Sequence, residues 1–162
     1  MEVRFVENGK IQIDEARICY RNFNGRGGKY NRTGDRNFAV IIPDEEIADR
    51  LIEDGWNVKK KAARDDQDGP FCTLPVKIKL PDDERYASRG PVFYLVCGEK
   101  QTVIPYESIG DIDDMDIISA SMDIRPYHWK TDDGKSGTSA YLERIEIIQR
   151  VDRFKSRYLD AE

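Results

Sequence analysis

Histidine and cysteine, two of the side chains that proteins use to hold zinc, are scarce in this sequence. His128 is the only histidine, and the three cysteines (Cys19, Cys72 and Cys97) are far apart, with no CxxC pair. A structural zinc site takes four closely spaced ligands of these types, so no metal site is predicted. Because the cysteines are scattered and odd in number, we expect them to stay reduced, as is usual inside cells.

Long hydrophobic runs and nucleotide-binding loops are also missing. No stretch approaches the roughly 18 apolar residues of a membrane span, and Met1–Arg4 is not followed by the apolar core of a signal peptide. We therefore expect an intracellular protein without membrane association. Residues 25–29 (GRGGK) lack the GxxxxGK[ST] spacing of a phosphate-binding loop, so no cofactor is predicted.

Positive charge is in the minority overall but is concentrated in one region. The chain carries 26 Lys and Arg against 31 Asp and Glu, a net charge of −5. Residues 1–43 nevertheless hold eight cations and five acids, whereas the rest of the chain is net negative. Screening limits the field of a charged patch to roughly 8–10 Å, so a basic face on an acidic protein can still bind a polyanion.

The segment from Tyr20 to Val40 combines cations, aromatic rings and glycines. Five cations lie there against one acid, Asp35, with four rings and four glycines interleaved. Strand-like runs at 10–20 and 37–42 bracket the segment, which predicts a long β-hairpin with a basic loop. Cations that follow phosphates and rings that stack on unpaired bases are what single-stranded nucleic acid requires. A solvated, mobile surface loop is the alternative, and these residues alone leave it open.

Two further places bring aromatic and basic residues together. Trp56 is followed by three lysines at 59–61, and residues 125–129 read Arg-Pro-Tyr-His-Trp at the end of a predicted strand. Each stacked base would contribute about 1–3 kcal/mol, so two or three such rings would dominate the local affinity. A ring that follows a helix can also plug the end of a barrel, so Trp56 has two interpretations.

Alternating apolar residues predict a mostly β protein with one helix. Strand patterns cover 10–20, 37–42, 73–80, 92–97, 101–105, 116–129 and 138–151. The phase slips at Asp14 and Glu15, which predicts a bulge. Asp44 as N-cap, apolar residues at i, i+4 spacing and Gly55 as the stop predict a short helix over about 44–54.

At this size the strands predict a barrel or a sandwich, and we prefer an OB-like antiparallel β-barrel with long projecting hairpins. One single nucleic-acid-binding domain would cover residues 1–150, and a C-terminal tail would cover 151–162. The position of the helix is unusual, because it follows the second strand, whereas OB folds usually carry it between the third and the fourth.

The acidic residues leave an enzyme as an alternative. The run Asp111–Asp116 lacks the glycine and the closing glutamate of a calcium loop, so it predicts a solvated acidic turn. A magnesium-dependent nuclease would need carboxylates that converge from separate strands, for which Asp14, Asp116 and Asp123 are the candidates. Their spacing does not require that convergence.

The order of several motifs resembles phage-encoded single-stranded DNA-binding proteins, an OB-fold family of tailed phages and prophages. The motifs are IDEARICYRNFNGRGGKYNRTGDRNFAV, GWNVK at 55–59, LPVKIKL at 74–80, RPYHW at 125–129 and SAYLERI at 139–145. The resemblance runs over about residues 10–158. It implies sequence-tolerant binding of single-stranded DNA during phage replication or recombination in the cytoplasm of the bacterial host, with no reaction catalysed.

The resemblance and the residue patterns together give a set of candidate DNA-binding residues. We expect cations to pair with phosphates and rings to stack on bases, and the glycine-rich 24–34 loop to be mobile when free and to close over the strand. The candidates are Arg21, Phe23, Arg26, Lys29, Tyr30, Arg32, Arg36, Trp56, Lys59, Arg125, Tyr127 and Trp129.

The partners implied are single-stranded DNA and, beyond it, phage replication or recombination proteins. Related proteins often recruit such partners with an acidic tail, whereas this tail carries only Asp160 and Glu162 after several basic residues. A phage structural or adaptor module whose hairpins bind protein is the second alternative. The sequence leaves the oligomeric state open.

Overall fold

Nine strands dominate the computed structural model, which describes residues 1–29, 31–61 and 71–151. The strands are β1 (Glu2–Phe5), β2 (Ile11–Asn22), β3 (Arg36–Ile42), β4 (Lys59–Lys61), β5 (Phe71–Ile78), β6 (Val92–Cys97), β7 (Lys100–Val103), β8 (Ile117–Lys130) and β9 (Ser136–Gln149). The same residues contain one α-helix, α1 (Glu45–Glu53), and short 3-10 segments at Glu7–Gly9, Glu84–Arg89 and Tyr106–Asp114. The prediction of a mostly β protein is confirmed.

Five of the strands form a closed ring. β2 pairs with β3, β3 with β5, β9 with β8, and β8 with β2, all antiparallel. A parallel contact between β5 and β9 closes the ring through two residue pairs, Val76 with Ala140 and Lys77 with Tyr141. The hairpin of β6 and β7 continues the sheet from β9, while β1 adds to β2 and β4 adds to β5.

The interior of the ring is filled by one face of each strand. Because side chains alternate along a strand, every second residue points inward, and these positions are apolar. The fully buried members include Ile11, Ile13, Val40, Leu74, Val76, Ile124, Ile145 and Ile147. Each such side chain contributes about 1.5–3 kcal/mol through its removal from water, so the alternating pattern is what holds the ring together.

The helix lies where its capping residues predict. The Asp44 carboxylate accepts a hydrogen bond from the backbone N–H of Glu46 at 2.9 Å, and Ala48 and Leu51 are buried against the core. Gly55 has a φ of 95°, the left-handed conformation that ends a helix. The helix follows β3, the second strand of the ring, as the sequence indicates.

Two irregularities bend the long strand β2. Between Ile13 and Ala16 its register with β8 shifts, and Glu15 has a φ of 52°; the predicted bulge is confirmed. A second shift, against β3 between Cys19 and Asn22, contains Tyr20 with a φ of 51°. The alternation in the sequence did not predict this second bulge.

The acidic run before β8 is more ordered than predicted. Residues 106–114 form a 3-10 segment in which Ile109 and Ile112 are fully buried. The Asp113 carboxylate accepts hydrogen bonds from the backbone N–H groups of Phe23 at 2.8 Å and Asn24 at 3.1 Å. The expectation of a solvated acidic turn is therefore wrong for Asp113, which anchors the start of the basic loop.

The described part of the chain contains no helix long and apolar enough to cross a membrane. Of the predicted C-terminal tail, only Val151 belongs to the described residues. The rest of that tail, 152–162, lies outside them.

Candidate nucleic-acid interface

A row of four polar side chains crosses the outer surface of the ring. Asn37 on β3 pairs with Lys77 on β5, Lys77 pairs with Tyr141 on β9, and Tyr141 pairs with Arg125 on β8. Directly paired residues share one face of a sheet. That face is the outer one, because a neighbour of each along its own strand is buried: Phe38, Val76, Ala140 and Ile124.

Tyr141 is the centre of this row. The Nζ atom of Lys77 lies 5.9 Å from the centroid of its ring, and the guanidinium carbon of Arg125 lies 4.9 Å from it. Both distances are within the range of cation–π attraction. The Tyr127 ring meets Tyr141 edge to face, with centroids 5.8 Å apart. Two cations are therefore held beside an aromatic pair.

A groove runs beside this row. Its larger part, about 560 Å³, is lined by residues 34–37, 77–82 and Tyr141. Its smaller part, about 340 Å³, is lined by Tyr20, Lys59 and parts of β3 and β5. Asp35, Asn37 and Lys77 line both parts, so the two parts of the groove adjoin along these residues.

The charge of the groove is positive. Its lining includes Arg36, Lys59, Lys77 and Lys79 against the two acids Asp35 and Asp82. An excess of cations in a concave surface focuses the field and attracts a polyanion. Next to Asp82, hydrogen bonds from Arg85 hold the pKa of Asp83 below its usual range, so that this exposed carboxylate keeps Arg85 paired.

Four of the predicted site residues come together at this surface. Arg36 and Lys59 line the groove, and Arg125 and Tyr127 flank Tyr141. The Arg36 guanidinium also donates a hydrogen bond to the carbonyl oxygen of Phe23, which fixes its position at the base of the loop. For these four residues, phosphate contact by the cations and base stacking by Tyr127 stay predictions.

Trp129 lies farther along β8, on the same outward-facing side of the strand as Arg125 and Tyr127. It pairs with Gly137 on β9, and a Cβ atom at that glycine would lie 2.6 Å from Cζ2 of the indole. The ring therefore packs over the glycine backbone and is half-buried. Glycine at 137 is what makes room for it.

Phe23 is in the core rather than on the DNA-facing surface. Its side chain has no exposed area, and its ring stacks on Phe38 at a centroid distance of 5.2 Å and an angle of 9°. Phe93 meets the same ring edge to face at 6.3 Å. This corrects the expectation that Phe23 stacks on bases: the ring is already sandwiched by protein.

Trp56 is also buried, with 4% of its surface exposed. Its Nε1–H donates to the carboxylate of Asp54 at 2.9 Å, and its backbone forms a bridge with Thr138. Of the two interpretations of Trp56, the structure supports the one in which its ring packs into the core. The prediction of base stacking by Trp56 is corrected for the same reason as that for Phe23.

Arg21 points away from the groove. Its guanidinium donates to the carbonyl oxygens of Ile112 at 2.8 Å and Met115 at 2.7 Å. It thus binds the 3-10 segment 106–114 to β2. The expected contact of Arg21 with phosphate does not fit this placement, because the side chain is already held by two acceptors on another face.

The basic loop between β2 and β3 is tied together at its base. The Asn22 amide donates to the carbonyl oxygens of Arg26 at 3.2 Å and Asp35 at 2.9 Å, and the backbone N–H of Gly34 donates to Gly25 at 2.8 Å. Arg26, Lys29 and Arg32 are exposed on this loop. Tyr30, the remaining predicted residue, lies outside the described residues.

The candidate residues from the sequence do not include four side chains that line the groove: Tyr20, Lys77, Lys79 and Tyr141. For the lysines the signal was present, because Leu74, Val76 and Ile78 point inward and the same alternation places Lys77 and Lys79 outward. What the sequence did not show is that β5 and β9 are neighbours.

The acids required for the nuclease alternative do not converge. Asp14 pairs with Arg4 at 2.6 Å, Asp116 with Arg150 at 3.2 Å, and Asp123 with Arg144 at 3.4 Å. Within 1–29, 31–61 and 71–151, no three His, Cys, Asp or Glu side chains are grouped as metal ligands.

A closed ring of strands with a groove of cations and tyrosines defines a β protein suited to an extended polyanion. The family model described as "Putative phage ssDNA-binding domain" matches residues 2–162, and the chain belongs to this phage single-stranded DNA-binding family. The resemblance predicted from the motifs is confirmed. No protein with a curated function matches the sequence significantly.

Two solved structures support the fold. The single-stranded DNA-binding protein from bacteriophage Enc34 matches with a TM-score of 0.56 at 12% identity, over 90% of this chain and 83% of that chain. Its C-terminal truncation matches with a TM-score of 0.55 at 15% identity, over 90% and 88%. At such identities the likeness concerns the fold.

Proposed function

We propose that this protein binds single-stranded DNA along the groove, without sequence preference, and catalyses no reaction. The observation that carries the proposal is the Tyr141 ring between Lys77 and Arg125 (5.9 and 4.9 Å) at the edge of a positively charged groove. A half-buried ring flanked by cations at the edge of a groove provides the two interactions of sequence-tolerant binding: stacking for any base and attraction for the phosphate beside it.

The order of the ring supports an OB-like barrel. Five strands close in the order β2, β3, β5, β9, β8, with one parallel junction. OB folds are small five-stranded Greek-key barrels that bind oligonucleotides on the face of their second and third strands and on the adjoining loops. Here those strands are β3 and β5, which line the groove, and the basic loop 23–35 adjoins them.

The loop completes the proposed site. Arg26, Lys29 and Arg32 would contact phosphates, and Tyr30 would stack on a base once the loop closes over the strand. Trp129 and Tyr127 would extend the aromatic surface along β8. The domain would cover 1–150, with 151–162 as a tail.

The setting follows from the family. The protein would act in the cytoplasm of the bacterial host, where it would coat single-stranded DNA during phage replication or recombination. Phage replication or recombination proteins would be its further partners.

The experiment is a fluorescence-anisotropy titration of the full chain with a labelled poly-dT of ~30 nucleotides and with a matched duplex, at several salt concentrations. We expect preference for the single strand, and log affinity that falls by roughly 0.7 per phosphate contact against log salt. Lys77→Gln should flatten that slope by about one contact. Lys100→Gln, an exposed lysine on β7, is the matched control and should leave it unchanged.

The aromatic part is tested with Tyr141→Leu, which keeps apolar volume but removes the stacking face. Affinity should fall about tenfold with the slope unchanged. Absence of single-strand binding at low salt would overturn the proposal. Shortening of the oligonucleotide that depends on Mg²⁺ would support the nuclease instead, and a stable complex with another phage protein without any DNA affinity would support the adaptor module.

A further inference from the structure

Tyr20 has a backbone conformation that an aromatic residue rarely adopts. Its φ of 51° lies in the left-handed region, where the Cβ atom of an L residue is crowded. It lies within the register shift of β2 against β3, between Cys19 and Asn22. Strained residues persist only where the surrounding structure holds them, and they concentrate at functional sites.

Two other non-glycine residues with positive φ differ from Tyr20. Asn8 is in the turn at Glu7–Gly9, and asparagine tolerates this conformation. Glu15 is in the first bulge of β2, where its backbone N–H donates to the Ser121 hydroxyl at 3.1 Å. For Tyr20, the consequence of the conformation is the position of its ring.

That ring is displayed at the groove. Tyr20 is 51% exposed, more than expected for a large ring in a strand next to the core, and it lines the 340 Å³ part together with Asn37, Lys59 and Lys77. Lys77 belongs to both parts of the groove, so it lies between Tyr20 on one side and Tyr141 on the other. Each part thus offers one tyrosine, and a cation lies between them.

We propose that Tyr20 is a second base-stacking residue, held over the smaller part of the groove by its left-handed backbone before DNA arrives. This inference rests on the proposed function and adds a second stacking position to it. A strand bound there would stack one base on Tyr141 and another on Tyr20, with phosphates near Lys77 and Lys59. Because the ring is already placed, binding spends less free energy on ordering it.

The first test compares normal poly-dT with an oligonucleotide of equal length and charge whose nucleotides are all abasic. Tyr20→Ala should weaken binding of poly-dT about tenfold, with an unchanged salt slope. The variant and the wild type should bind the abasic strand equally, because that strand offers no base to stack on Tyr20. Tyr20→Phe should restore affinity for poly-dT, and Tyr94→Ala, an exposed tyrosine on β6, is the matched control.

The second test separates the ring from the backbone. Tyr20→Gly removes the side chain while favouring the left-handed conformation, since glycine adopts positive φ readily. We expect it to unfold at the same temperature as the wild type or higher, yet to bind poly-dT as weakly as Tyr20→Ala. A variant that is both stable and weak in binding cannot be explained by misfolding.

The outcomes are distinguishable. If the wild type binds poly-dT but Tyr20→Ala weakens the normal and the abasic strand equally, Tyr20 acts through structure, and this inference fails while the proposed function stands. Full affinity of Tyr20→Gly would have the same meaning. If the wild type itself does not bind, the proposed function fails first and the inference fails with it.

Discussion

The guanidinium carbon of Arg125 lies 4.9 Å from the centroid of the Tyr141 ring on the neighbouring strand. A planar guanidinium can stack on a ring and face a phosphate at the same time, which an ammonium group does less well. Arg125→Gln should therefore weaken poly-dT binding and flatten the salt slope. Arg125→Lys should restore the slope but only part of the affinity. Equal affinity of Arg125→Lys and the wild type would show that charge alone matters there.

Arg21 provides the opposite case, a cation whose role is internal. Its two hydrogen bonds to Ile112 and Met115 would be lost in Arg21→Ala, which leaves two carbonyl groups without these donors. We expect the free energy of unfolding to fall by about 1–3 kcal/mol, measured by urea denaturation. The salt slope of poly-dT binding should not change. A flatter salt slope with an unchanged free energy of unfolding would indicate that Arg21 contacts DNA.

The free energy of unfolding of a Phe23 variant tests whether this ring belongs to the core or to the DNA-binding site. Phe23→Ala removes a fully buried ring and should lower the free energy of unfolding by about 3–5 kcal/mol. Phe5→Ala is the matched control, since Phe5 is 38% exposed and contacts Arg50 through its face. Its cost should stay near 1 kcal/mol. Similar denaturation midpoints for the two variants would contradict the placement of Phe23 in the core.

Gly137 is predicted to control the position of Trp129. Gly137→Ala would place a Cβ atom 2.6 Å from Cζ2 of the indole, so the ring must move. We expect a change in the tryptophan fluorescence spectrum and weaker binding of poly-dT. Gly28→Ala is the control for the fluorescence spectrum, because a Cβ atom there would meet nothing within 4 Å. An unchanged spectrum in Gly137→Ala would mean that the indole does not depend on this glycine.

Closure of the basic loop can be followed by amide hydrogen exchange. If residues 24–34 close over bound DNA, exchange in this segment should slow on addition of poly-dT, while amides in the β6–β7 hairpin keep their rates. Exchange that is the same with and without DNA would count against closure.

The sequence predicts much of this fold because its local patterns are strong. Alternation of apolar residues predicted seven strands, the cap at Asp44 predicted the helix, and the phase slip predicted the bulge at Glu15. β1 and β4 were missed because they are edge strands of only four and three residues, too short for a pattern to stand out. Lys59–Lys61, for instance, pairs with β5 but carries no apolar side chain that would reveal it.

The candidate site was less predictable because burial depends on which strands are neighbours. Phe23 and Tyr20 lie three residues apart in the same basic segment, yet one is fully buried and the other 51% exposed. The bulge at Tyr20 reverses the phase that Ala16 and Ile18 predict, and nothing in the residue types marks it. Lys77 and Tyr141 are 64 positions apart, and only the closure of the ring brings them together.

That closure has a thermodynamic consequence. The ring is joined at β5 and β9 by just two residue pairs, and one of them is Lys77 with Tyr141, the centre of the proposed site. A DNA strand held by both side chains would lie across this seam and would be lost if the seam opened. Bound DNA would then stabilise the closed ring, so the midpoint of thermal unfolding should rise with the concentration of poly-dT. Without DNA, the contact between β5 and β9 would be the first part of the ring to open.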